Sequence, residues 1–209
     1  MIELWHCKDS RSLRALWTLE ELGLDYQLHV LRFPPRMADP HYLEVNPLGT
    51  VPFLIDGATR MTESVAICHY LARRYGEGQL ALPADHPDYS AWLNWLHHAD
   101  ATLTFPQALI LRYGRFEPVE RRQPQVVEDY TQWFFARLKL LNARLDEAEW
   151  LVADRFTAAD IAVGYALHLG RIVGLATHYK SQTAAYLERL SARPAFLRAT
   201  EKGADLPGL

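Results

Sequence analysis

The features that would take this chain out of the ordinary globular class are scarce. Two cysteines, Cys7 and Cys68, occur in 209 residues. That is too few for a disulfide scaffold, their separation fits no Cys-x-x-Cys metal motif, and a reducing compartment is the expectation. Long apolar runs are missing too, since no stretch approaches the ~18 residues of a membrane span. Met1-Ile2-Glu3-Leu4 runs into polar residues with no charged-then-apolar leader, so a cytoplasmic location and no membrane partner are expected. Neither sign of charge dominates, with 22 Lys and Arg against 25 Asp and Glu. No basic stripe appears, which sets nucleic acid aside as a partner. Internal repeats and low-complexity tracts are absent as well. What remains is a chain with 49% apolar and 22% charged residues, long enough to bury a core without covalent staples.

The N-terminal part mixes strand and helix signals. Ile2-Glu3-Leu4-Trp5 alternates as a short strand, and Leu13, Leu16 and Trp17 share one face of a helix over 10–22 that Gly23 stops. Asp25 to Leu31 alternates again, and a strand-helix-strand of this length predicts a right-handed crossover with parallel pairing. Pro34, Pro35 and Pro40 mark an irregular segment from Phe33 to Pro47. Val51 to Ile55 and Thr59 to Met61 flank Asp56-Gly57, a strong hairpin signal. Cys68, Leu71 and Tyr75 give a further helical face over 64–75, for an order of β-α-β-β-β-α. Strand signals then vanish, which divides the chain into 1–80, a Pro-containing linker at 81–87 and an all-helical region at 88–209. Helices are predicted near 88–113, 124–146, 157–173 and 180–190, with a short one after Pro194. The second is the clearest, because Tyr130, Trp133, Phe134, Leu138, Leu141 and Leu145 recur at three- and four-residue intervals. Thr157-Ala158-Ala159-Asp160 reads as a capping box opening the third, with Phe156 and Ile161 as its hydrophobic staple.

Three segments converge on the carboxyl end of the small sheet. Cys7-Lys8-Asp9-Ser10-Arg11-Ser12 leaves a strand and enters a helix, where unpaired N–H groups favour a thiolate or another anion. An N-cap at Asp9, Ser10 or Ser12 accounts for the same residues structurally. Asn46-Pro47-Leu48-Gly49-Thr50-Val51-Pro52 is a turn ending in a proline at the mouth of a strand. A cis Val51–Pro52 bond would turn the Val51 backbone outward, free to pair with an extended peptide. Glu63-Ser64 opens the helix that runs to Tyr75; hydroxyl and helix-start N–H groups suit a carboxylate, and the Glu suits an ammonium. A capped helix start with a dipole-compensating Glu fits equally.

In this order, with Glu63-Ser64-Val65-Ala66-Ile67 and the run Ala153 to Ile161, these segments resemble the cytosolic glutathione transferase superfamily over essentially the whole chain. Ser10 to Gly23 is similar to the first helix of many bacterial members and lacks the tyrosine of the tyrosine-type classes. The resemblance implies an α/β thioredoxin-like N-terminal domain followed by an all-α domain. It implies an enzyme of detoxification that uses glutathione as co-substrate, attacks an electrophilic hydrophobic substrate and forms a homodimer. Glu63 and Ser64 would bind the γ-glutamyl group, Val51 would pair main chain to main chain with the cysteine of glutathione, Pro52 would be the family's cis proline, and Thr50 would lie beside them. Ser10 would stabilise the thiolate, since its O–H can donate to sulfur whereas the Asp9 carboxylate would repel an anion.

The electrophile would meet the helical region, where Trp95, His98, Phe105, Arg112 and Tyr113 are the candidate lining. His97 and Asp100 share a helix face but lack further ligands, so no metal is expected. Arg36 or His41 is the candidate for the glycine carboxylate of glutathione. Cys7 forms Cys-x-x-Ser with Ser10, which leaves thiol-disulfide exchange as an alternative, whereas Cys68 reads as core. The same scaffold would serve a glutathione-dependent isomerase, dehalogenase, lyase or peroxidase, or a non-catalytic interaction module.

Overall fold

The computed structural model describes residues 1–209, which divide into two compact units, Met1–Ala81 with Ser191–Leu209, and Leu82–Leu190. The first unit is built on a four-stranded sheet of order β2-β1-β3-β4, with β1 at Ile2–His6, β2 at Tyr26–Val30, β3 at Phe53–Asp56 and β4 at Thr59–Met61. β1 runs parallel to β2 and antiparallel to β3, and β3 is antiparallel to β4. This is a thioredoxin-like sheet. β1 is central and buries all of its residues but Glu3, as a strand covered on both faces must. Trp5, Tyr42 and Phe53 form a cluster joined by Leu31, Val51 and Ile55, with the His29 ring stacked on Trp5 at 4.2 Å.

Helix α1 (Ser12–Leu22) buries every residue from Ser12 to Leu19, far more than the single face expected from Leu13, Leu16 and Trp17. It ends at Gly23, whose φ of 61° is the left-handed conformation a glycine cap supplies. The two short helices α2 (Pro35–Ala38) and α3 (Tyr42–Val45) occupy the segment read as irregular. In the β3–β4 hairpin Asp56 pairs with Thr59, so the turn residues are Gly57 and Ala58. It sits one residue beyond an Asp-Gly turn because Gly57, at φ 59°, takes the first central position, where a type II′ turn needs positive φ. Helix α4 (Ser64–Tyr75) packs on α1.

The last helix, which we number α10 (Pro194–Glu201), also packs on α1. The sequence division runs the helical region on to 209, but the side chains of α1 explain where Ser191–Leu209 goes. Glu21 takes two bonds from Arg193, at 2.6 and 2.8 Å, and one from Trp17 Nε1 at 2.9 Å. Glu20 takes Arg198 at 2.7 Å and Lys202 at 3.3 Å, and Phe196 meets the Trp17 ring edge-on at 4.8 Å.

The second unit is helical. Residues 89–116 form one run: α5 (Tyr89–His97), a π-helical segment His98–Thr104, α6 (Phe105–Leu111) and a second π-helical segment Arg112–Phe116. Pro106 lies inside this run and has no N–H for the carbonyl four residues back, and widening the preceding turn accommodates its ring. Within the π-helical segment Thr104 Oγ1 donates to the Ala99 carbonyl at 2.7 Å. Helix α7 (Pro124–Glu147) packs on α6, and α8 (Ala158–Ile172) is buried from Ala158 to Gly170 against α5. α9 spans Ser181–Ser191. The capping box opening α8 is present: Thr157 Oγ1 accepts from the Ala159 N–H at 3.2 Å, and Asp160 Oδ2 accepts from the Thr157 N–H at 2.8 Å. Asp160 is fully buried and also accepts from Tyr186 at 2.7 Å, the Thr157 hydroxyl at 3.0 Å and the Leu151 N–H at 3.3 Å. No helix is long and apolar enough to cross a membrane.

Candidate functional site

Strand register gathers the candidate residues of the first unit at one edge of the sheet. Trp5 pairs with Phe53 near the end of β1 and the start of β3, and Leu54 pairs with Met61 at the end of β4. The loop after β1, the turn before β3 and the segment from β4 into α4 therefore leave the sheet on the same side. They carry Ser10, then Thr50, Val51 and Pro52, then Glu63 and Ser64.

The first loop is held by hydroxyls. Asp9 takes a left-handed φ of 62°, which turns the chain so that Ser10 and Ser12 both point inward. Ser10 Oγ donates to the Cys7 carbonyl at 2.8 Å and lies 2.7 Å from Ser12 Oγ, which lies 2.7 Å from His6 Nδ1. Ser12 Oγ also accepts from the Cys7 N–H at 3.2 Å. All four residues are buried. Burial drives the His6 imidazole down to about 4, against a smaller upward pull from the Asp9 carboxylate. It pushes the Cys7 thiol up to about 12, and the Cys7 S–H points at the Arg32 carbonyl, 3.7 Å away. A thiol in that state is inert at neutral pH. Cys68 is a buried core residue.

The second segment is set by Asn46. Its Oδ1 accepts from the Leu48 N–H at 3.2 Å while its Nδ2 donates to the Thr50 carbonyl at 2.8 Å, a position shared by Tyr42 Oη at 2.8 Å. Gly49 has φ 59° and sits so close to α2 that a Cβ there would lie 2.7 Å from the Cβ of Arg36, so this turn requires glycine. The Val51–Pro52 bond is cis. The β1–β3 ladder stops at Phe53 and no other backbone bond engages Val51, which leaves its N–H and C=O open to an added strand.

At the third segment Glu63 is exposed and takes the N-cap position, with Ser64 as the first helical residue. Ser64 is buried, and its Oγ accepts from Arg14 Nη1 at 3.1 Å. Arg14 is buried completely. The guanidinium takes one lone pair of the Ser64 oxygen and leaves the hydroxyl proton available to another acceptor.

Known proteins resemble this chain along nearly its whole length. A family model of the glutathione S-transferase N-terminal domain matches residues 10–74. The chain is 32% identical over 201 residues to glutathione S-transferase GstB of Escherichia coli, covering 93% of this chain and 95% of that protein. The chain belongs to the glutathione S-transferase family. A second relative, glutathione S-transferase 3 of Schizosaccharomyces pombe, is 28% identical over 218 residues, covering 98% of this chain and 89% of that protein. Among solved structures, a glutathione transferase of Methylococcus capsulatus superposes with a TM-score of 0.83 at 26% identity, covering 99% of this chain and all of that one. A sphingomonad glutathione S-transferase solved with glutathione has the same fold, with a TM-score of 0.83 at 22% identity over 97% of this chain and 98% of that one.

In this family member Arg36 is exposed on α2, and His41 is exposed with its Nδ1 3.3 Å from Glu44 Oε1. The residues proposed to line an electrophile site are spread along the 89–116 run. Trp95 is buried and His98 half-buried, their rings edge-on at 5.4 Å. Burial lowers the His98 pKa, with the Arg137 backbone acting in the opposite sense. Phe105 is exposed, Tyr113 is half-buried, and Arg112 pairs with Glu117 at 3.1 Å. At ~1.5 Å per residue, Arg112 stands roughly 20 Å along the run from His98, so the five residues do not gather at one point.

Sequence reasoning missed His6, Ser12 in its bonded role and Arg14. Arg14 had one available signal, a single charged residue between Leu13 and Leu16 on a helix that is otherwise apolar there. His6 sits at a strand end and carried none.

Proposed function

We propose that this glutathione S-transferase binds glutathione at the sheet edge of its first unit, converts the thiol to a thiolate and directs it at an electrophilic, apolar substrate. The observation that carries the reading is the convergence there of a buried hydroxyl at Ser10, an unengaged backbone at Val51 and a hydroxyl at Ser64 backed by a guanidinium. In this proposal Glu63 holds the ammonium and Ser64 the carboxylate of the γ-glutamyl group. Val51 pairs with the cysteine of glutathione, with Thr50 and the cis Pro52 shaping the strand mouth, and the sulfur lies toward Ser10. Ser10 then rotates its O–H from the Cys7 carbonyl to the sulfur. A hydroxyl donating at a helix N-terminus favours the anion and lowers the thiol pKa from its free value of ~8.5. The protein's chemical contribution is a nucleophile present at neutral pH, held close to its target. We assign a cytoplasmic homodimer to the native protein.

The test is the steady-state rate of glutathione conjugation to an activated aryl chloride, run beside reduction of an alkyl hydroperoxide. Turnover with either, reduced at least about thirtyfold in Ser10→Ala, supports the reading, since one donor to a developing anion is worth ~2–4 kcal/mol. Binding of glutathione without turnover on any electrophile indicates an interaction module instead. Light scattering at twice the monomer mass is the expected result for the dimer, and a monomer contradicts it.

A further inference from the structure

The hydroxyl chain behind Ser10 leads away from the sheet edge and ends on a histidine that the transferase reaction has not yet used. Its atoms are His6 Nδ1, Ser12 Oγ and Ser10 Oγ, in contact at 2.7 and 2.7 Å. Two proton arrangements satisfy these contacts. In one, protons point inward: Ser10 donates to Ser12 and Ser12 donates to His6 Nδ1. In the other they point outward: His6 Nδ1–H donates to Ser12, Ser12 donates to Ser10, and the Ser10 proton remains for a partner outside the chain.

The surrounding contacts favour the outward arrangement. Ser10 Oγ already has an acceptor for its own proton, the Cys7 carbonyl at 2.8 Å, and receives the Ser12 N–H at 3.3 Å. With the Ser10 proton on that carbonyl, the 2.7 Å contact between the two hydroxyls is made by the Ser12 proton, which has only a longer alternative in the Cys7 carbonyl at 3.3 Å. Ser12 Oγ, which also receives the Cys7 N–H at 3.2 Å, is left to accept from His6 Nδ1. The inward arrangement would serve to carry a proton from a thiol to the imidazole. Burial opposes a charged imidazole at that position, and Asp9 is the one titratable neighbour whose field acts in the other direction.

We propose that His6 and Ser12 are positioning residues for this transferase, forming a donor chain that fixes the Ser10 proton outward and polarises it toward the glutathione thiolate. This rests on the reading of Ser10 given above. Each donor in such a chain strengthens the next, and the last bond is the one made to charge. The thiol proton goes to water; none passes along the chain.

The test uses the full chain saturated with glutathione, reading the thiolate absorbance near the ultraviolet edge against pH. Ser10→Ala, Ser12→Ala and His6→Leu are compared with the conservative variants Ser12→Thr and His6→Asn, whose hydroxyl and amide retain a donor. Cooperative strengthening of ~10–30% in a charge-assisted bond corresponds to a rise of roughly 0.5 in the bound thiol pKa for Ser12→Ala and His6→Leu, about a threefold loss of thiolate. Ser12→Thr and His6→Asn are expected to stay at the wild-type value, and glutathione affinity to change little in all four. A thiol pKa that moves in Ser10→Ala but in neither Ser12→Ala nor His6→Leu overturns the donor chain and leaves the Ser10 reading standing. No movement in Ser10→Ala overturns that reading itself. Should His6→Leu not fold, long-range proton–nitrogen spectra of the wild type decide the direction: a protonated Nδ1 on His6 is expected, and a protonated Nε2 with bare Nδ1 refutes the proposal.

Discussion

Acidification should destabilise this protein through His6 in a way that a single substitution removes. His6 is 1% exposed, and burial holds its pKa at about 4 in the folded chain, against ~6.5 when unfolded. The folded pKa is depressed, so between these two values the unfolded chain takes up a proton that the folded chain refuses. Stability therefore rises with pH across that window and is lost as pH falls through it. Integrating the linkage gives almost no loss at pH 7, roughly 1 kcal/mol at pH 5.5 and roughly 2–3 kcal/mol at pH 4.5. Urea unfolding at pH 7 and pH 4.5 measures the loss in wild type and in His6→Asn, which keeps a polar group near Nδ1 and does not titrate. Carboxylates contribute to both proteins and cancel in the comparison. The wild type is predicted to lose about 2 kcal/mol more than the variant. Equal losses would show that His6 protonates as easily in the folded state as in the unfolded one, and the buried, neutral imidazole that argues against an inward proton relay would be wrong.

Further outcomes follow from single contacts. Asp160→Asn replaces a buried carboxylate that accepts four bonds with a group having one acceptor oxygen, and should cost about 3 kcal/mol in urea unfolding; a loss below about 1 kcal/mol would contradict the count. Gly49→Ala places a Cβ at φ 59°, 2.7 Å from the Arg36 Cβ, and should lower the unfolding free energy by about 2 kcal/mol. An unchanged urea midpoint would mean that the turn before Val51 is not tightly specified. Arg14→Met removes the donor that orients Ser64, and calorimetry should show glutathione binding weakened about fivefold, the equivalent of one hydrogen bond. Unchanged affinity would detach Arg14 from the site.

The sequence was informative where local chemistry decides the conformation. Gly23, the alternation of β1 and β2 and the Thr157–Asp160 box each specify a terminus or a strand through contacts a few residues apart, and the structure has them. Val51-Pro52 and Glu63-Ser64 stand out only through the family resemblance of the segments taken together, since local chemistry alone fits a capped helix start equally well. What was illegible depends on partners far away in the chain. Buried Arg14 donates a hydrogen bond to Ser64, fifty residues on. Ser191–Leu209 joins the first unit because Glu20 and Glu21 of α1 meet Arg193 and Arg198, a match between residues about 175 apart. The smaller misplacements are of one residue. Ser64 is the first helical residue of α4 and not its cap, because Glu63 takes the extended cap conformation at φ −85° and ψ 115°. Pro106 was not read as disturbing the 88–113 helix, and the run absorbs it in a π-helical turn.

The sheet edge of the first unit is the proposed glutathione site, with Ser64 at its carboxylate end. Isothermal titration of glutathione into the wild type and into Ser64→Ala tests it most directly. Saturable binding by the wild type is predicted, weakened in Ser64→Ala by about ten- to hundredfold, the worth of one hydrogen bond to a charged group. Equal affinities in the two proteins, or no heat with the wild type, would contradict the account.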